Sequence, residues 1–212
     1  MATMPIKQGE VVLFIGDSIT DAGRNRESSA HMGSGYALMA AGAFGARYPE
    51  LGVTFYNRGI SGNRVKDLVG RWQEDCIDLK PDWVSIYIGI NDVWRRFDRN
   101  DPTSVEEFAE GYRSLLERTK RELDAGLVLI EPFVLPVPED RKQWREDLEL
   151  KIRVVRELAV EFGARYVALD GLFAEAATEA PAAFWAPDGV HPSPAGHARI
   201  AEAWLRVMGA NG

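Results

Sequence analysis

The sequence predicts an α/β protein: a three-layer α/β sandwich built on a five-stranded parallel sheet of strand order 2-1-3-4-5. Three observations carry this. Five short apolar segments, at 11–15, 53–57, 83–88, 127–132 and 165–170, are rich in β-branched or aromatic residues and have the length of strands. Segments with helical spacing separate them, and strands alternating with helices pair in parallel through right-handed crossovers. There is no internal repeat, low-complexity linker or break in composition, so residues 1–212 are read as one domain, a length that suits a single core.

The elements follow in order. Val11-Val12-Leu13-Phe14-Ile15 ends at Gly16, and small polar residues crowd after it. Residues 32–48 are small and apolar and read as a buried helix. The second strand runs into "NRGISGN", and a helix over 65–79 follows. The third strand runs into "GIND", Gly89 to Asp92. Val105, Phe108, Tyr112, Leu115, Leu116, Thr119 and Leu123 share one stripe, and Ser104 with Glu107 gives a capping-box signal at its start. Trp144, Leu148, Ile152, Val155, Ala159 and Phe162 make a second stripe. After the fifth strand comes "DGVHP", Asp188 to Pro192, and a last helix over 194–208.

Composition narrows the function. At 46% apolar and 27% charged the chain has the balance of an ordinary globular protein. Its 25 Lys and Arg against 32 Asp and Glu give a net charge of −7, and binding phosphates needs a basic face, so no nucleic-acid partner is expected. Cys76 is the one cysteine, which excludes an intrachain disulfide and a cysteine-based metal cluster. No apolar run approaches a membrane span and the N-terminus lacks a leader pattern, so the reading is a soluble, cytoplasmic protein with no membrane partner. A homo-oligomer is compatible with the sequence. No motif requires a cofactor or a metal.

In open parallel sheets, sites form beyond the carboxyl ends of the strands, beside the switch point. With strand 1 between strands 2 and 3, Ser18, Gly59 and Asn91 converge on one rim. A free serine hydroxyl is a poor nucleophile and needs a base. His31, His191 and His197 are the candidates, and Asp188, three residues before His191, can reach its ring within one turn and hold the imidazolium. The Ser18 N–H, the Gly59 N–H and the Asn91 amide are three candidate donors to an oxyanion, with glycine permitting close approach at 59. Taken singly, "GDS", "GIND", "DGVHP" and "SGN" are also ordinary turn and cap signals. Jointly, and in this order after strands, they supply a complete set for acyl transfer.

"GDSIT", Gly59 in "NRGISGN", "GIND" and "DGVHP" resemble the four blocks of the SGNH hydrolases, the GDSL-type esterase/lipase family, with Ile19 where the family name has leucine. The resemblance spans nearly the whole chain. It implies Ser18 as nucleophile, His191 as base, Asp188 as its partner, and Ser18, Gly59 and Asn91 as the oxyanion hole. "YPELG", "KPDWVSI", "IGINDVW" and "HPSPAGH" are similar to the branch of intracellular carbohydrate acetylesterases such as acetylxylan esterases, which implies an acetylated carbohydrate, xylo-oligosaccharides among them, or another small ester as substrate. Asp17, Asn63, Trp94 and Trp185 are the expected substrate contacts, with Phe97 in the same rim loops. His197 is expected to pack, His31 to serve its loop, and Glu131 to pair with an arginine. The alternatives are an esterase or thioesterase for lipid-like acyl groups, a hydrolase using Glu131 and Asp92 as paired carboxylates, and a non-catalytic carbohydrate-binding module.

Overall fold

The structure is a computed structural model that describes residues 4–28 and 30–210. Its sheet consists of β1 (Val11–Gly16), β2 (Thr54–Gly59), β3 (Trp83–Tyr87), β4 (Gly126–Ile130) and β5 (Arg165–Val167). All four pairings are parallel, and the order is β2-β1-β3-β4-β5, as the sequence predicts. Gly16 is in register with Gly59 on one side and Tyr87 on the other, and Tyr87 with Ile130. The carboxyl ends of the four leading strands therefore share one rim.

The helices are α1 (Ser18–Asp21), α2 (Tyr36–Arg47), α3 (Val65–Asp75), α4 (Ile90–Arg99), α5 (Val105–Leu123), α6 (Arg145–Glu161), α7 (Leu169–Glu179), α8 (Ala182–Trp185) and α9 (Pro194–Val207). Strand β1 is buried on both faces, so its alternate residues feed two cores. Phe14 packs with Tyr36, Phe44 and Trp204 under α2 and α9. Leu13 and Ile15 pack with Trp72, Tyr112 and Leu116 under α3 and α5. The expected cap of α5 is present: Ser104 Oγ accepts from the Glu107 N–H at 3.1 Å, and Glu107 Oε2 accepts from the Ser104 N–H at 2.9 Å.

Several boundaries differ from expectation: the second strand runs on to Gly59, the fourth stops at Ile130, and the helix after the second strand stops at Asp75. The fifth strand stops at Val167, because Leu169 turns inward as the first residue of α7, so 169–170 are helical. The second helix begins at Tyr36 rather than 32, since Gly33, Ser34 and Gly35 precede it and Gly33 has a φ of +77°. "GIND" is not a loop: α4 starts at Ile90, which puts Asn91, Trp94 and Phe97 on a helix.

A buried bracket fixes the start of this rim. Asn57, 1% exposed, donates through Nδ2 to the carbonyls of Thr20 (2.6 Å) and Met32 (2.7 Å), and its Oδ1 accepts the Gly59 N–H (2.8 Å). It ties the end of β2 to α1 and to the loop before α2. Leaving these buried backbone groups unpaired is costly. Asn57→Ala is therefore expected to lower stability by about 3 kcal/mol, as read by urea unfolding; a loss within experimental error would show that the bracket is dispensable.

Candidate active site

The rim assembles from four segments that are distant in sequence. Asp17 ends the turn out of β1 and caps α1, its Oδ1 accepting the Ile19 N–H at 3.0 Å. Ser18, the first residue of α1, stands directly above the sheet. Its Oγ lies 3.0 Å from His191 Nε2, across 173 residues of sequence. His191 Nδ1 lies 2.6 Å from Asp188 Oδ2. A carboxylate only accepts, so Nδ1 carries the proton and Nε2 is left to accept from the Ser18 hydroxyl.

The aspartate is held as well as the histidine. Asp188 Oδ1 accepts the backbone N–H groups of His191 (2.7 Å) and Val190 (3.0 Å). Partial burial raises the Asp188 pKa, but the bonds from the His191 ring and from these two amides together outweigh it and hold the carboxyl well below the usual range. Its bond to Asp188 raises the His191 pKa against the opposing effect of burial. Both side chains remain open to solvent, 44% for His191 and 42% for Asp188.

The second and third sides of the rim come from the loop after β2 and from α4. The loop turns tightly, with the Asn63 N–H donating to the Ile60 carbonyl at 3.2 Å and Gly62 at a φ of +84°, a conformation glycine adopts without strain. Asp21, almost fully buried, accepts the Ser61 N–H at 3.1 Å and pairs with Arg26 at 2.6 Å, which ties the loop to α1. Asn91 on α4 donates from Nδ2 to the Asn63 carbonyl at 3.1 Å. Beside it lies a polar recess of about 310 Å³ lined by Ser61, Gly62, Asn63, Arg64 and Arg95 among others.

The structure corrects the expectation for Gly59. Its N–H is taken by Asn57 Oδ1 and does not face the rim. Glycine is needed there for another reason: a Cβ would sit 2.2 Å from the Asp21 backbone nitrogen. Among the described residues no hydrogen bond takes up the Gly62 N–H, and Gly62 immediately precedes the residue whose carbonyl meets Asn91. The signal was in "ISGN", where glycine precedes asparagine at a turn, but it reads identically to a plain turn.

The four expected substrate contacts divide. Trp94 stands beside His191, ring centroids 5.9 Å apart, and is half-buried. Trp185 does not face the rim: it is 7% exposed and its indole N–H donates to the Ala176 carbonyl at 2.8 Å. Asp17 is fully buried, and burial pushes its carboxyl up to about 7 against the Ile19 N–H and the charge of His191. It caps a helix and cannot reach a ligand. Asn63 commits its side-chain oxygen to Arg71 Nε at 2.7 Å and offers the site its backbone.

The other ionisable candidates are occupied. Glu131 pairs with Arg156 at 3.1 Å and also accepts from Tyr166 Oη and the Asp170 N–H. Asp92 is buried against the Val65 N–H, and burial pushes its carboxyl up to about 7. This sets aside the paired-carboxylate reading. His31 accepts the Asn25 and Gly33 N–H groups within its loop, and His197 accepts the Tyr36 N–H at 3.1 Å. Cys76 is buried, which pushes its thiol up to about 12. Among the described residues no group of three or more His, Cys, Asp or Glu is placed to hold a metal ion, and no helix is long and apolar enough to cross a membrane.

A parallel α/β sandwich with serine, histidine and aspartate linked on its carboxyl rim is the architecture of a class of hydrolytic enzymes. The sequence model of the GDSL-like Lipase/Acylhydrolase family matches residues 14–199. An acetylxylan esterase from Geobacillus stearothermophilus is 44% identical over 214 residues, covering 97% of either chain. A crystal structure of Axe2, an acetylxylan esterase from Geobacillus stearothermophilus, superposes with a TM-score of 0.90 at 41% identity over 97% of both chains. Solved variants of it include catalytic mutants in which a serine or a histidine is replaced by alanine. The structure of a protein described as a GDSL-like lipase from Parabacteroides merdae superposes with a TM-score of 0.95 at 36% identity, covering 99% of this chain and 100% of the other. The chain belongs to the GDSL-like lipase/acylhydrolase family and is a carboxylic ester hydrolase. Membership also removes the reading as a non-catalytic binding module.

The two rim-proximal histidines should titrate apart. Protonation of His191 is favoured by Asp188, so in NMR titrations its ring is expected above the ordinary value of about 6.5, and Asp188→Asn should bring it down. Burial and the nearby His191 depress His197 to about 4, so it should stay neutral through that window. Coincident titration of the two rings would contradict this arrangement.

Proposed function

We propose that the chain is a serine esterase that removes acetyl groups from acetylated carbohydrates through an acyl-enzyme. The observation that carries this is the bonded sequence Ser18 Oγ, His191 ring, Asp188 carboxylate at the carboxyl rim. In this reading Ser18 Oγ attacks the ester carbonyl carbon while His191 Nε2 takes its proton. Asp188 stabilises the imidazolium. The tetrahedral oxyanion is received by the N–H of Ser18, left free as the first turn of α1 leaves it, by the Gly62 N–H and by the Asn91 amide. Collapse passes the His191 proton to the leaving sugar oxygen and leaves an acetyl ester on Ser18. A water molecule, deprotonated by His191, then attacks that ester; His191 returns the proton to Ser18 Oγ as it leaves, and acetate is released. The catalytic serine and histidine mutants of the related acetylxylan esterase support the assignment.

Acetyl and carbohydrate specificity rest on shape and on that relative. The His191–Asp188 pair lies open to solvent, the recess beside Asn91 is polar, and Trp94, with the Arg95 and Arg141 guanidiniums over its ring, stands beside His191. Each added methylene gains about 0.8 kcal/mol only where apolar protein receives it. Along the series p-nitrophenyl acetate, butyrate and octanoate, kcat/KM should therefore fall or stay flat. A steady rise toward octanoate would favour the lipid-like alternative and sink the acetylesterase reading.

Ser18→Ala should lower kcat by about 10⁴-fold or more and abolish labelling by a fluorophosphonate, with the thermal midpoint little changed. Retention of labelling would rule out Ser18 as nucleophile. In the parent enzyme the base must be neutral to act. A raised His191 pKa therefore places the acid limb of kcat/KM above about pH 6.5, and activity is lost as pH falls through it.

A further inference from the structure

Asn91 is the second residue of α4, and Arg95 follows it one turn later on the same face. Two hydrogen bonds hold the Asn91 amide by its two ends. Oδ1 accepts from Arg95 Nη2 at 3.2 Å, and Nδ2 donates to the Asn63 carbonyl at 3.1 Å. A guanidinium only donates and a carbonyl only accepts. Reversing the amide would set donor against donor at one end and acceptor against acceptor at the other. One orientation survives, and in it a single Nδ2 hydrogen has no partner among the described residues.

We infer that Arg95 is the positioning residue of the oxyanion hole, locking the Asn91 amide so that its spare N–H faces the developing charge. This rests on the reading of Asn91 as an oxyanion donor. Arg95 is itself held in place. Its side chain is 15% exposed and pairs with Asp98 one turn on, and its guanidinium carbon lies 5.4 Å from the centre of the Trp94 ring. The cation does a second thing: drawing density onto Oδ1 polarises the amide and makes the remaining N–H a stronger donor, in the cooperative sense of linked hydrogen bonds. Arg95 touches no reacting atom in this account. It acts through Asn91.

A double-mutant cycle on p-nitrophenyl acetate tests this, with Arg95→Met, Asn91→Ala and the pair, each checked for an unchanged thermal midpoint. Asn91→Ala should lower kcat by about 10²–10³-fold. Arg95→Met should lower kcat about tenfold with KM within about twofold, and should change kcat by less than about twofold once Asn91 is already alanine. An equal loss in both backgrounds, or a loss confined to KM, would overturn the proposal. An unchanged kcat in Asn91→Ala would instead overturn the reading of Asn91 on which it rests. Should Arg95→Met not fold, Arg95→Lys, which keeps the charge but not the planar fork, serves in the same cycle with the same criteria.

Discussion

The site depends on one close approach of backbone to backbone, where the end of β2 meets the first turn of α1. At Gly59 there is room for no side chain, since a Cβ would lie 2.2 Å from the Asp21 nitrogen. Asn57 then closes the contact with three hydrogen bonds. This pins α1 at a fixed height above the sheet, and Ser18 with it. The chain leaving Gly59 goes directly into the turn that carries Gly62 and Asn63. Arg71 fastens that turn and both strand ends, donating to the carbonyls of Gly16 and Arg58 and to Asn63 Oδ1. The Asn63 carbonyl then meets Asn91. Serine, turn and amide are thus set by one continuous chain of contacts that begins at a glycine.

Charge is arranged around this frame in two tiers. The buried carboxyls of Asp17 and Asp92 serve backbone N–H groups at the starts of α1 and α3, and burial favours their neutral forms. The carboxyl of Asp188 is open to solvent and firmly ionised by the bonds it accepts. Only the latter is suited to balance a positive imidazolium that comes and goes. Of the two buried carboxyls, Asp17 at the start of α1 feels the charge of His191.

The fold was legible because its signals are periodic: apolar strand runs, helical stripes and the Ser104 cap each report one element, and together they define an alternating topology. The meeting of Ser18, His191 and Asp188 was legible because these residue types are rare in combination. What could not be read was direction. Gly59 and Gly62 are the same residue type three positions apart, and only the folded backbone shows that one N–H turns inward to Asn57 while the other has no partner among the described residues. Trp94 and Trp185 both flank motif residues, yet one lies beside His191 and the other donates into the core. The start of α4 at Ile90 was hidden because Gly89 and Asn91 are also turn formers. The second turn of that helix is what brings Arg95 to Asn91.

Asp188 and His191 sit three residues apart and are joined by a ring bond and a backbone bond within one short segment. Their geometry is local and travels with that segment. The bond from Ser18 to His191 instead joins the first helix of the chain to the segment between α8 and α9, and no covalent or helical connection enforces it. That joint rests on packing at a distance from both side chains, among it the Leu135 N–H on the Gly189 carbonyl at 2.8 Å and the buried Val190. Loss of turnover should thus precede loss of the sheet, with the histidine still bound to its carboxylate, and a cross-strap between the two ends of the fold would extend working temperature more than added core volume would.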